Sequence, residues 1–337
     1  MSRFTTRFMR LPRFDVVALG VTTAVALTAC GAGSDTGEAA RASATPQGVV
    51  SQATAKKITD NYEKVNNQAN AGQDEKLLAT VEAGQVYAMD EATYTLFPTW
   101  SESDRKAYSK PFYYQDRSYV IPEKGTATWF AVQATANEGD HDSVLLVFDK
   151  VDGTYKMVLS LWADDGQPLP KLAVDEHGLA EAVDPATKVG PLAPAEVGAA
   201  YEDLFATGGT KDGKSLASTE LVQQAVKTYQ DSSTKGTADG IATKRFFAKT
   251  PADTSVYALR TADGGVLAMF PTAHNQESLV KEAYRSSRSL VPSDGQSALG
   301  AIRGDVITDV LEGQGMAELT ATAARITAIG WQQVDSR

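Results

Sequence analysis

The sequence predicts an α+β protein of two similar domains, each with N-terminal helices packed on a curved antiparallel sheet. Three observations predict it. Ile58, Tyr62, Val65 and Ala69 recur at steps of four, three and four, which puts them on one helical face. From Phe112 the pattern changes to β-branched and aromatic runs cut by turn-forming residues. The second half then restarts in the same order. Tyr201-Glu202-Asp203-Leu204 follows the pattern of Tyr62-Glu63-Lys64-Val65, and the same offset carries Leu77 onto Leu216.

Taken in order, the chain opens with a positive segment, Arg3, Arg7, Arg10 and Arg13, followed by an apolar run from Val16 to Leu27. That run has the length of a signal-peptide core and falls short of the ~20 residues that span a bilayer. It ends in Leu27-Thr28-Ala29-Cys30, which holds the single cysteine of the chain. A lone cysteine forms no intramolecular disulfide, so packed cores must supply the stability. Residues 31–47 are small and polar, without apolar periodicity, and read as a tether.

A helix is expected from about Val50, with Gly72 as its C-cap, and a second from Glu75 to Ala83. Tyr87, Tyr94, Phe97 and Trp100 follow at irregular spacing, and Pro98 argues against a long helix there. Strands are expected at 114–121, 126–136, 143–151 and 154–162, the last two joined by Asp152-Gly153, a two-residue hairpin signal. Prolines 185, 191 and 194 mark a linker at 184–193, and Pro194 suits the first position of a helix. After the repeated helical region, strands are expected at 242–249, 255–261, 265–270, 302–311 and 317–334. Turns fall at Asp263-Gly264-Gly265 and Glu312-Gly313-Gln314-Gly315, and 286–296 reads as a loop. The expected organisation is therefore a signal peptide at 1–29, a tether at 30–48, domains at 49–183 and 194–337, and a linker at 184–193.

The residues before Cys30 resemble a bacterial lipobox: a branched aliphatic, two small residues and cysteine. The resemblance implies cleavage before Cys30 and a diacylglyceryl thioether on its sulfur, with further acyl chains of the palmitate kind. Cys30 is thus the candidate lipidation site, and the membrane, reached through that lipid, is the first expected partner. Two acyl chains give durable attachment where one is marginal. Behind its lipobox the whole chain is similar to uncharacterised lipoproteins of high-GC Gram-positive bacteria. The element order of each half resembles the nuclear-transport-factor-2-like and cystatin-like folds.

The charge bounds the function classes. The chain carries −10, and loss of residues 1–29, with four arginines and one aspartate, leaves −13. That acidity argues against nucleic acid and against a polybasic clamp on anionic lipid. His141, His177 and His274 lack zinc-site spacing. Asp140-His141-Asp142 reads as a hairpin tip, and Asp164-Asp165-Gly166 as a turn without the oxygen ligands calcium needs. Ser-x-x-Lys occurs at Ser103, Ser232 and Ser278, with no accompanying Ser-Asp-Asn or Lys-Thr-Gly. No catalytic, cofactor-binding or metal residues are therefore assigned, and no cofactor is expected. The expected role is a non-catalytic binding or scaffolding protein on the extracytoplasmic face of the cell membrane, with an envelope protein or a small apolar ligand as partner. A cavity-based enzyme or a small-molecule carrier, with Tyr87, Tyr94, Phe97, Trp100, Tyr113, Tyr114, Trp129 and Trp162 as candidate cavity walls, is the alternative.

Overall fold

A computed structural model describes residues 45–136, 143–163, 168–237 and 240–337. In chain order these form α1 (Gln52–Gly72), α2 (Glu75–Leu78), α3 (Gly84–Leu96), α4 (Glu102–Tyr108), β1 (Tyr114–Val120), β2 (Phe130–Ala136), β3 (Ser143–Val151) and β4 (Thr154–Trp162). The second half contains α5 (Val197–Thr207), α6 (Glu220–Lys235), β5 (Ala242–Ala248), β6 (Tyr257–Arg260), β7 (Val266–Val280), α7 (Asp294–Ala298), β8 (Val306–Leu319) and β9 (Ala324–Ser336). The architecture is α+β, with a four-stranded sheet in the order β1-β2-β3-β4 and a five-stranded sheet in the order β5-β7-β8-β9, to which β6 is added alongside β7. All strand pairs are antiparallel.

The side chains of the strands sort into layers by the period of two. On β3, Val144, Leu146 and Phe148 face a core shared with Ala55 and Tyr62 of α1. Leu145 and Val147 face the other way, into a core that also contains Leu267 and Met269 of β7 and Tyr257 and Leu259 of β6. Val266, Ala268 and Phe270 of β7 point into a third core, with Val197, Tyr201 and Leu204 of α5 and Val222 of α6. The molecule is thus layered helix, sheet, sheet, helix. Strands buried on both faces read as continuous apolar runs, as Val144-Leu145-Leu146-Val147-Phe148 does.

The sheets differ in length, and that difference positions α3. Strands of the first sheet have 7 or 9 residues. β7, β8 and β9 have 15, 14 and 13. The second sheet therefore outruns the first, and α3 packs against β4, β8 and β9 where the first sheet stops. Gln85, fully buried, shares its amide hydrogens among Thr272 O (3.2 Å), Gly313 O (2.9 Å) and Glu312 Oε2 (2.8 Å). The segment after β4 also reaches the second sheet: Leu172 bridges to Thr261 and Ala182 to Leu259.

Several local expectations need correction. α2 stops at Leu78, and Glu82 then bridges in parallel to Met157 on the free edge of β4. Residues 84–96 are helical, because Pro98 falls just beyond them, in a 3-10 turn spanning Phe97–Thr99. β7 continues ten residues beyond the expected end at Phe270, through Pro271. The missing N–H costs no bond there, because β6 pairs with β7 only to Met269 and β5 only from His274. The expected turn at 312–315 is instead the middle of β8. Glycine is required there by packing: a Cβ on Gly313 would lie 2.5 Å from Trp331 Cε3, and one on Gly315 2.7 Å from Phe270 Cζ. The Asp152-Gly153 turn forms as expected, with φ of 50° and 81°.

Candidate functional site

The chemistry of the first half gathers on the inner face of α1. Tyr62, Asn66 and Asn70 stand one turn apart in a single row. The Tyr62 hydroxyl and the Asn66 amide both donate to Glu82 Oε1, each at 2.9 Å. Asn70 Nδ2 donates to Asn66 Oδ1 at 2.7 Å. Asn70 Oδ1 in turn accepts from Tyr94 of α3 at 2.7 Å and from Tyr108 of α4 at 3.2 Å. The result is a buried polar ladder that ties α1, α3 and α4 to the edge segment holding Glu82.

At one end of the ladder two carboxyl groups meet. Glu82 is 1% exposed, and its Oε2 receives no donor hydrogen bond. Asp90, one turn and a half into α3, lies within hydrogen-bonding reach of Glu82. Part of the Asp90 residue remains open to solvent, although protein surrounds its carboxyl. Burial pushes the Glu82 carboxyl well above the usual range, the Asp90 charge adds to this, and the bonds from Tyr62 and Asn66 oppose it. Burial raises Asp90 to about 7, against a bond to Glu82 that lowers it. Two carboxylates in contact in a dry site do not both ionise, so the pair is arranged to keep a proton near neutral pH.

The second half has a different buried acid. Glu202 of α5 accepts from the Thr272 hydroxyl and pairs with His274 Nδ1 at 3.0 Å. His274 is 3% exposed. The rings of Trp331, Phe205 and Phe246 surround it at 4.5, 4.9 and 5.4 Å. A carboxylate accepts only, so the His274 Nδ1 carries the hydrogen of this bond. The pair pins α5 onto β7.

The outer face of α3 borders a cleft of about 360 Å³, walled by Ala88, Glu91, Ala92 and Thr95 on one side and by Glu312, Ala252 and Val334 on the other. Glu312, at its base, is buried and ion-paired with Lys249, and it accepts the Gln85 amide and the Ala252 N–H. Among the described residues no three His, Cys, Asp or Glu side chains converge as a metal site.

Of the residues singled out from the sequence, Cys30, Asp140-His141-Asp142 and Asp164-Asp165-Gly166 lie outside the described residues. His177 sits in a surface turn, its N–H bonded to Asp175 Oδ1. His274 is in the core. Ser103 with Lys106 lies on solvent-facing α4, and Lys235 and Lys281 are held by Asp231 and the Gly240 carbonyl. Tyr94, Tyr114 and Trp129 are buried in the cores, and Tyr113 is half exposed. Phe97, Trp100 and Tyr108 pack on one another at 5.4–5.9 Å between ring centres. The sequence reading missed Asn66, Asn70, Glu82 and Asp90, though the four-residue step from Tyr62 through Asn66 to Asn70 was a visible signal.

Residues 46–334 match the family described as Domain of unknown function (DUF8094). Two relatives are uncharacterized lipoproteins of Streptomyces coelicolor. One is 36% identical over 274 residues, covering 76% of this chain and 75% of the relative. The other is 26% identical over 286 residues, covering 75% of this chain and 84% of the relative. No solved structure matches.

Proposed function

This chain belongs to the family described as Domain of unknown function (DUF8094), and from that membership we propose that it is a lipid-anchored protein of the cell envelope with a binding or scaffolding role. The names of its lipoprotein relatives support the anchoring. So does the lipobox-like Leu27-Thr28-Ala29-Cys30, with Cys30 as the proposed lipid carrier and the extracytoplasmic face as the proposed location of the folded body. Among the described residues no helix is long and apolar enough to cross a membrane.

The observation that carries the binding role is an exposed apolar group at one end of the second sheet. The connection between β7 and β8 presents Tyr284, Val291 and Ile302, and Val306 opens the next strand; they are 41, 63, 78 and 41% exposed. Leu290 bridges to Gly304, which brings the neighbourhoods of Val291 and Ile302 together. Exposed Arg285, Arg288 and Arg303 border them in sequence. This end lies at residues 280 and 306, a full strand length from the 266 and 319 end, nearer which the chain enters: Gly48 bridges to Glu123, Pro122 to Ala180, and Ala182 to Leu259. Fourteen residues of strand make that roughly 45 Å. The apolar end thus lies away from the point where the described chain begins, and it suits an envelope protein with an apolar patch ringed by carboxylates.

Photocrosslinking in the native host tests this. A crosslinking residue at position 302 is expected to give a defined adduct of one partner, and one at Gln224 on α6 to give none. No adduct at 302, or the same adducts at both positions, contradicts the proposal.

The carboxyl pair favours a second reading, acid–base catalysis, since one of its members sits near neutrality. That reading requires a substrate to reach Asp90 from its solvent-facing side.

A further inference from the structure

We propose that Glu82 and Asp90 share a single proton that clasps α3 to α1 and to the edge of the first sheet, and that losing this proton loosens α3. The inference goes beyond the binding role and is independent of it. It rests first on geometry. Glu82 Oε1 is saturated by Tyr62 and Asn66, whereas Oε2 is buried without a hydrogen-bond donor, and the Asp90 carboxyl lies within hydrogen-bonding reach of the Glu82 carboxyl. A buried carboxylate oxygen without a donor is costly unless a proton sits on it or on its partner.

The surroundings offer no relief to a second negative charge. From α1 the pair is faced by Tyr62, from α3 by Tyr94, from α4 by Tyr108 and from β1 by Tyr114, all with their phenol groups pushed upward chiefly by burial. Glu75 of α2 adds only further negative charge at Tyr94. Glu63 is taken by Arg117 and the Tyr114 N–H, and Lys156 of β4 is taken by the Ala79 carbonyl at 2.6 Å.

The consequence falls on α3. It carries Asp90 on one side, Gln85 at its start against Glu312, Thr272 and Gly313, and the wall of the 360 Å³ cleft on its outer face. Two like charges meeting under α3 would push it from α1 and β4.

The sign is fixed by linkage. A carboxyl that titrates near 4 in the unfolded chain and is raised in the folded one binds its proton more tightly when folded. Its stabilising contribution is complete below about pH 4 and is lost as pH rises towards the folded value of about 7 for Asp90.

The test compares urea unfolding of the wild type and of Glu82→Gln between pH 5 and 7. The glutamine keeps an acceptor for Tyr62 and Asn66 and supplies a permanent donor to Asp90. The wild-type unfolding constant, relative to that of Glu82→Gln, is expected to rise about tenfold per pH unit. A ratio that stays flat over this range overturns the proposal. Should the variant fail to fold, infrared spectroscopy of the wild type decides. A protonated-carboxyl band at pH 6 that fades above pH 8 and is absent from Asp90→Asn is expected, and its absence from the wild type overturns the proposal.

Discussion

Glu202 and Glu181 show how differently two glutamates on one chain count. Glu202 is buried and is the acceptor for both the Thr272 hydroxyl and His274 Nδ1. Replacing it by alanine strands two buried donors, and each such donor costs about 1–3 kcal/mol. Glu181 meets Arg260 at 3.2 Å on the surface, with 59% of its side chain exposed. We expect Glu202→Ala to lower the free energy of unfolding by about 3 kcal/mol, and Glu181→Ala to stay within about 1 kcal/mol of wild type, both read from urea denaturation. Equal losses would show that the buried acid is not braced as described. At this scale the sequence was legible only in part. The match of Tyr62-Glu63 to Tyr201-Glu202 marked positions that are buried in both halves. It did not show their partners, because Tyr114 and Arg117 for Glu63, and Thr272 and His274 for Glu202, lie 51 to 72 residues away. Counting only apolar residues on α1 also concealed Asn66 and Asn70, which are buried, while Ile58 and Val65 are only partly so.

Among the elements, α3 and β8 were hardest to read, for opposite reasons. In α3 a nearby proline and irregular aromatics obscured a helix whose burial is decided by two different sheets. It covers β4 through one flank and β8 and β9 through another, so its apolar residues do not fall on one stripe. In β8 the glycines looked like a turn but mark close approach of side chains from the neighbouring strands. This gives a direct check. Gly313→Ala forces a methyl group into the Trp331 ring and the Gly330 carbonyl, at 2.5 and 2.9 Å, and is expected to cost about 1–3 kcal/mol. Gly330→Ala meets nothing within 4 Å and should leave stability within about 1 kcal/mol of wild type. Thermal unfolding of the two variants side by side measures this, and similar midpoints would contradict the packing at Gly313. The hairpin at Asp152-Gly153, by contrast, was fully legible, since its two residues alone fix the backbone geometry.

For the whole molecule, the important surface is the one between the sheets. Leu145, Val147, Leu159 and Leu161 of the first sheet pack with Leu259, Leu267 and Met269 of the second. This core contains residues from both halves of the chain, and α3 fastens the same junction through Gln85. Alternating strand residues announced that sheets would form, yet which sheet face would meet which is set by contacts more than a hundred residues apart, and no local pattern encodes that. Calorimetry is expected to show one cooperative unfolding transition for residues 45–337, and Leu267→Ala to move that whole transition down by about 2–5 kcal/mol. Two separated transitions, with only one moved by the substitution, would mean that the halves fold independently.

The proposed placement of this body at the membrane rests on Cys30 as its lipid carrier. Intact-mass spectrometry of the protein extracted from its native host is the most direct measurement of it. A chain beginning at Cys30 with the added mass of a diacylglyceryl group, and further acylation where the host supplies it, is predicted, as is release of Cys30→Ala from the membrane fraction. A full-length chain starting at residue 1, with a free thiol at Cys30, would contradict it.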